Sequence, residues 1–139
     1  MNIDKPLSEI FVEEAFVTRE ELNDILARRE DTTEPLGDLL VRLKRITEKQ
    51  KLKCIGLQMG VPFVDLAALE PDQLATNIIP HSVAVRLLVI PVEVTEVSAS
   101  VAMVDPLNLS ALDELTNLTG RDIDPLIATE SDIRESIFR

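Results

Sequence analysis

The stretch "PLGDLLVRLKRITEKQKLKCIGLQ", residues 35–58, decides how the first half of this chain folds, because it occurs twice. Moved back by 29 positions it falls on "PLSEIFVEEAFVTREELNDILARR", residues 6–29, with no gap over 24 residues. Pro6 meets Pro35, Leu7 meets Leu36, Phe11 meets Leu40, Val12 meets Val41, Val17 meets Ile46 and Thr18 meets Thr47. Shared proline and threonine positions, on top of shared apolar ones, point to a duplication rather than to two unrelated amphipathic helices. Each copy reads as helix–turn–helix. Leu7, Ile10 and Phe11 make one apolar stripe at i, i+3, i+4, and Leu36, Leu39, Leu40 and Leu43 make its counterpart. Thr18 with Glu21, and Thr47 with Gln50, have the spacing of a capping box, which starts the second helix of each copy. That helix carries Leu22, Ile25 and Leu26 inward in the first copy. In the second copy Lys51 replaces Leu22, which weakens the apolar face.

Charge is distributed unevenly around this repeat. The chain carries −11 overall, with 14 basic against 25 acidic residues. Residues 1–60 are nearly balanced, and residues 61–139 supply most of the acidity. Six basic residues, Arg42, Lys44, Arg45, Lys49, Lys51 and Lys53, cluster against one acid, Glu48. This basic run is either a solvated face or the side that meets an anionic partner. Lys49 and Lys53 share a helix face at i, i+4.

The remainder reads as a small α+β layer. "GVPFVDL" (60–66) is an extended exit, and "IPHSVAVRL" (79–87) a short helix entered at Pro80. "LLVIPVEV" (87–94) and "VSASVAMV" (97–104) are strands joined by a tight hairpin at Thr95-Glu96, with Pro91 favouring a sheet edge. "LSALDELTNLTG" (109–120) is a helix capped by Ser110 and stopped by Gly120. "DIDPLIAT" (122–129) is a third strand and "SDIRESIFR" (131–139) a last helix capped by Ser131. The expected fold is therefore α+β: a helical lobe over 1–60 built from two helix–turn–helix repeats (6–29 and 35–58), then a β-β-α-β-α lobe over 61–139. The last helix has no stop signal before Arg139, as expected of a chain that continues.

Several chemistries lack the residues they need. The four glycines, at 37, 56, 60 and 120, do not form the G-x-x-x-x-G-K-[ST] loop that cradles nucleotide phosphates. One histidine, His81, and one cysteine, Cys54, fall short of the usual zinc set, and a single cysteine forms no internal disulfide. The acidic pairs Asp113-Glu114 and Asp122/Asp124 read as solvated surface. An acidic chain with four aromatic residues, all phenylalanine, is poorly suited to nucleic acid. No apolar run approaches the ~18 residues of a membrane span. We expect a cytoplasmic, non-enzymatic domain.

The tandem 24-residue motif, followed by "GVPFVDL", "AMVDPLNLSALDEL" and "TGRDIDPLIATESDI", resembles the N-terminal, MshEN-type domain of type II secretion and type IV pilus assembly ATPases. The resemblance covers about residues 6–138. It implies a helical lobe and a small α/β lobe ahead of a separate C-terminal ATPase domain. It also implies two functional readings. In one, the domain docks the motor to a platform protein at the inner membrane, so that the protein is peripheral to that membrane through its partner. The basic residues Arg42, Lys44, Arg45, Lys49 and Lys53 are then the partner-binding candidates. In the other, the two repeats bind the two halves of cyclic di-GMP, with Leu7, Arg29, Leu36, Gly37, Asp38, Gln58 and Asp105 as the ligand-binding candidates. The binding members' motif opens Arg-Leu-Gly and closes with Gln. Here the second copy keeps Leu36, Gly37 and Gln58. Both opening arginines are prolines, the first glycine is Ser8, the mid-motif glycines are Ala15 and Lys44, and the first closing glutamine is Arg29. No cofactor, catalytic residue or metal ligand is expected.

Overall fold

The computed structural model describes residues 5–29, 33–69 and 78–138. The chain divides into two compact units, Met1–Gly60 and Val61–Arg139.

Among its described residues the first unit contains four helices in two matched pairs: α1 (Leu7–Glu13), α2 (Arg19–Arg28), α3 (Leu36–Arg42) and α4 (Glu48–Met59). Pro6 and Pro35 stand at the N-caps of α1 and α3. Their extended backbones offer a carbonyl to the first turn, although their side chains cannot cap it. Both expected capping boxes form. The Thr18 hydroxyl accepts from the Glu21 amide at 3.0 Å, and the Thr47 hydroxyl accepts from the Gln50 amide at 3.1 Å. The core of this unit is the shared stripe of the repeat: Phe11 and Leu40 are fully buried, as is Cys54, and Ile10, Val17, Leu22 and Ile46 close around them. Two residues expected inside are not. Leu26 is 41% exposed and Leu43 42% exposed. Leu43 is the C-cap of α3, immediately before the left-handed turn at Lys44.

That turn is the same in both copies. Ala15 (φ 62°) and Lys44 (φ 60°) occupy equivalent positions, 29 residues apart, and both adopt the left-handed conformation. Glycine takes this conformation without strain, whereas a residue with a Cβ does not. The helix–helix turn of both copies therefore takes a left-handed residue, and this chain supplies it with two residues that carry a Cβ.

Among its described residues the second unit is a three-stranded sheet in the order β1-β2-β3, with helices and a one-turn 3-10 helix (Leu66–Ala68) around it. After α5 (His81–Leu87), strands β1 (Val89–Val94) and β2 (Ser98–Met103) form an antiparallel hairpin. Helix α6 (Leu109–Thr119) then crosses over to β3 (Asp122–Ile127), which pairs parallel to β2, and α7 (Glu130–Ile137) ends the unit. Pro91 does sit on an edge strand, beside a bulge between Pro91 and Glu93. At the hairpin tip the Thr95 hydroxyl accepts from the Ser98 amide at 2.9 Å, and Arg121 Nε donates to the Thr95 carbonyl at 2.8 Å. The extended exit runs alongside β3: the Val64 amide donates to the Ile127 carbonyl at 3.0 Å, and the Ile127 amide to the Pro62 carbonyl at 2.9 Å. Val89, Val101, Met103 and Leu115 anchor one apolar cluster of the unit, and Leu66, Ala102, Ala128 and Ile133 another.

Three local expectations need correction. Helix α6 is capped by Asn108 rather than Ser110, and α7 by Thr129 rather than Ser131. Asn108 and Thr129 have the extended backbone that a cap needs, and their side chains accept from the amides of Ala111 (3.2 Å) and Asp132 (3.1 Å). Ser110 and Ser131 are already inside their helices. Strand β1 begins at Val89 rather than Leu87, because α5 runs through Leu87 and Leu88 caps it at φ 53°.

Candidate ligand and docking surfaces

The most informative side chain of the second repeat is Lys51, which stands where the first repeat has the buried Leu22. Its ammonium lies 2.9 Å from Asp38 Oδ1 and 2.8 Å from Glu48 Oε1, and only 14% of the side chain is exposed. Burial pulls the ammonium pKa down, but the hydrogen bonds to Glu48 and Asp38 outweigh it, and the net shift is upward. The aliphatic stem lies over Gly37: a Cβ added there would meet Lys51 Cγ at 2.9 Å and Cδ at 3.0 Å. The second repeat thus covers its own glycine and engages its own acid.

Of the other ligand-binding candidates, all but Asp105 are engaged within the first unit. Leu7 and Leu36 are half-buried against the core of the unit. Gln58 Nε2 donates to the Lys5 carbonyl at 3.2 Å, which ties the end of α4 to the entrance of α1. Arg29 Nη2 donates to the Glu34 carbonyl. Asp105 belongs to the second unit, where it is exposed in the turn before α6.

The basic run does not form one surface. Lys44 and Arg45 are exposed in the α3–α4 turn. Lys49 and Lys53 lie along α4, with Lys53 Nζ 5.9 Å from the Phe16 ring centroid and 3.9 Å from Glu14 Oε1. Arg42 turns the other way and makes a bidentate pair with Glu34, at 3.2 Å from Nε and 2.9 Å from Nη2. Arg29, Arg42 and Arg45 therefore meet at a cleft of about 460 Å³ between α2 and α3. The sequence reading divides these three between ligand and partner roles, and does not single out Arg28 and Asp24, which also line the cleft. No periodicity signals a cleft built from the outer faces of two different repeats. The Lys51 arrangement does leave a signal, the mismatch with Leu22.

Elsewhere, His81 is exposed and packs edge-on to Phe138 with centroids 5.5 Å apart. Cys54 is buried, and burial, then Glu14, push its thiol up to about 11 against the opposing effect of Lys53. Asp113, Asp122 and Asp124 are exposed, and Glu114 pairs with Arg86. Among the described residues no group of three or more His, Cys, Asp or Glu is placed to hold a metal, and no helix is long and apolar enough to cross a membrane.

Comparison with known proteins gives a consistent answer. The family model of the MshEN domain matches residues 59–139. The type IV pilus assembly ATPase PilB of Myxococcus xanthus is 32% identical over 133 residues, which are 96% of this chain and 24% of that protein. PilB of Thermus thermophilus is 28% identical over 130 residues, 92% of this chain and 15% of that protein. The chain thus spans a quarter or less of the length of these relatives. Among solved structures, that of MshE with cdg is 28% identical at a TM-score of 0.66, covering 97% of this chain and 98% of that one. The N-terminal domain of XpsE shares the fold at 19% identity and a TM-score of 0.57, covering 99% and 95%. Architecture and family model agree: the chain belongs to the MshEN domain family, and its likeness to the PilB pilus assembly ATPases runs through both of its units.

Proposed function

We propose that this chain is a non-catalytic regulatory and docking domain of a type IV pilus or type II secretion assembly ATPase. It links a C-terminal motor domain to a platform protein at the inner membrane, and works at the cytoplasmic face without entering the bilayer. Its partner contact is the basic side of the first unit that carries Lys44, Lys49 and Lys53, with Lys49 and Lys53 foremost. The observation that carries this reading is the state of the second repeat. Gly37 lies beneath the Lys51 stem and Asp38 is paired with the Lys51 ammonium, so the repeat is satisfied internally and requires no ligand to complete it. Two opening prolines in place of arginine support the same conclusion, because proline offers no fork for a phosphate or a guanine.

The test is binding of this chain to the platform protein of its own assembly machine, compared with a Lys49→Glu/Lys53→Glu variant whose helix content is verified by circular dichroism. The variant should bind more weakly, and wild-type affinity should fall with added salt, since exposed charge contacts are screened over about 8–10 Å. An affinity indifferent to both changes removes the basic side from the interface.

A second reading has one specific observation in its favour. The MshE structure with cdg, which we read as cyclic di-GMP, aligns with nearly the whole of this chain. In that reading the dinucleotide meets Leu7, Leu36, Gly37, Asp38 and Gln58, with Arg29 and Asp105 in support. Lys51 must then move off Gly37 for the ligand to enter.

A further inference from the structure

We propose that the cleft between α2 and α3 is a binding site for a small phosphate-bearing molecule, distinct from the Lys49 and Lys53 docking face and from the Gly37–Asp38 repeat opening, and sharing only Arg29 with the cyclic di-GMP reading. Four of the chain's 14 basic residues line it, all of them arginines: Arg28, Arg29, Arg42 and Arg45. Two carboxylates, Asp24 and Glu34, share the wall and leave the site net positive in a strongly acidic protein. Arginine rather than lysine is the residue that grips a planar or tetrahedral oxyanion with two parallel N–H donors. The cleft's volume of about 460 Å³ falls in the range of small-molecule sites.

The arrangement is built around Glu34. Its carboxylate holds the Arg42 guanidinium in a two-point pair, and its backbone carbonyl accepts from Arg29. Two arginines from different repeats are thereby fixed in orientation before any ligand arrives, which lowers the ordering cost of binding. Arg28 makes an exposed i, i+4 pair with Asp24 at 3.2 Å, an interaction weak enough to exchange. The Arg45 side chain has no ion pair among the described residues, and it lines the cleft from the α3–α4 turn. Arg28 and Arg45 are accordingly the groups that receive the anion, and Arg29 and Arg42 frame it. Ile25, Leu39 and Leu43 give the cleft an apolar wall. No aromatic ring lines the site among the described residues, so recognition rests on the phosphate and on a compact body rather than on base stacking.

The experiment is an NMR titration of the ¹⁵N-labelled chain with sodium pyrophosphate, AMP and succinate in turn. Pyrophosphate and AMP should produce saturable shifts confined to amides of residues 24–29 and 39–45. AMP binding the tighter identifies an organic phosphate as the natural class, and pyrophosphate the tighter identifies an inorganic one. Arg45→Ala should weaken either ligand about tenfold, the worth of one charge-assisted contact, and Arg45→Lys should fall between. Lys51→Leu, which alters the repeat opening, should leave both affinities unchanged, separating this site from the cyclic di-GMP reading. Shifts that stay linear without saturating, an affinity unaffected by Arg45→Ala, or saturation by succinate alone would overturn the proposal.

Discussion

Replacing Ala15 and Lys44 with glycine should stabilise the protein, although glycine ordinarily destabilises. Both residues are held in the left-handed region, at φ 62° and 60°, by the turn that joins the helices of each repeat. A side chain with a Cβ costs about 1–2 kcal/mol in this conformation. Glycine removes that strain but brings a more flexible unfolded chain, which costs about 0.5–1 kcal/mol. The expected net gain is about 0–1.5 kcal/mol per site, centred on roughly 0.75 kcal/mol. Ala15 and Lys44 are both exposed, so no packing is lost. For a cooperative unit of about 60–100 residues, each kcal/mol corresponds to about 4–8 °C in melting temperature. Thermal and urea denaturation of Ala15→Gly, Lys44→Gly and the double variant, followed by circular dichroism in the far ultraviolet, provide the assay. Ala27→Gly is the control: Ala27 is exposed inside α2, where glycine should destabilise by up to about 1 kcal/mol. Destabilisation by Ala15→Gly and Lys44→Gly of the same size as in the control would refute the account of the turn.

Gly37→Ala should fail to gain the roughly 1 kcal/mol that alanine ordinarily gains over glycine inside a helix, because the new methyl displaces a Lys51 stem held at its far end by two carboxylates; the gain should reappear in a Lys51→Ala background, a coupling measured by a double-mutant cycle. Cys54 should resist iodoacetamide at mildly alkaline pH in the folded chain and react promptly in denaturant, since its thiol is buried and its pKa is raised to about 11; fast labelling of the native chain would contradict the packing of the first unit.

The helical repeat is legible in the sequence because its determinants are local and occur twice. Thr18 and Thr47 announce their helices through side chains that act three residues away, and Phe11 and Leu40 mark the same inward face. Pro91 places its strand at the edge because proline has no donor for a second neighbour. The caps of α6 and α7 escape a reading by residue type for a physical reason: Ser110 and Ser131 are good capping residues, but the backbone turns helical before it reaches them, and only φ and ψ reveal this. The candidate site is less legible. In the sequence Lys51 is a weak point of an apolar face, whereas the fold uses its stem as packing and its ammonium as a bridge. The arginine cleft draws residues from both repeats, and its assembly depends on how α2 and α3 are brought together.

Docking without a ligand requires that the repeats of this chain be complete by themselves. Calorimetric titration of the wild-type chain with cyclic di-GMP tests it directly. Two lost bidentate arginine contacts, each worth about 1.5–3 kcal/mol, would weaken binding by roughly two to four decades if they add. We expect little or no heat at micromolar concentrations, whereas submicromolar binding would contradict the docking-first account and show that Arg29 or Asp105 has taken the place of the missing arginines.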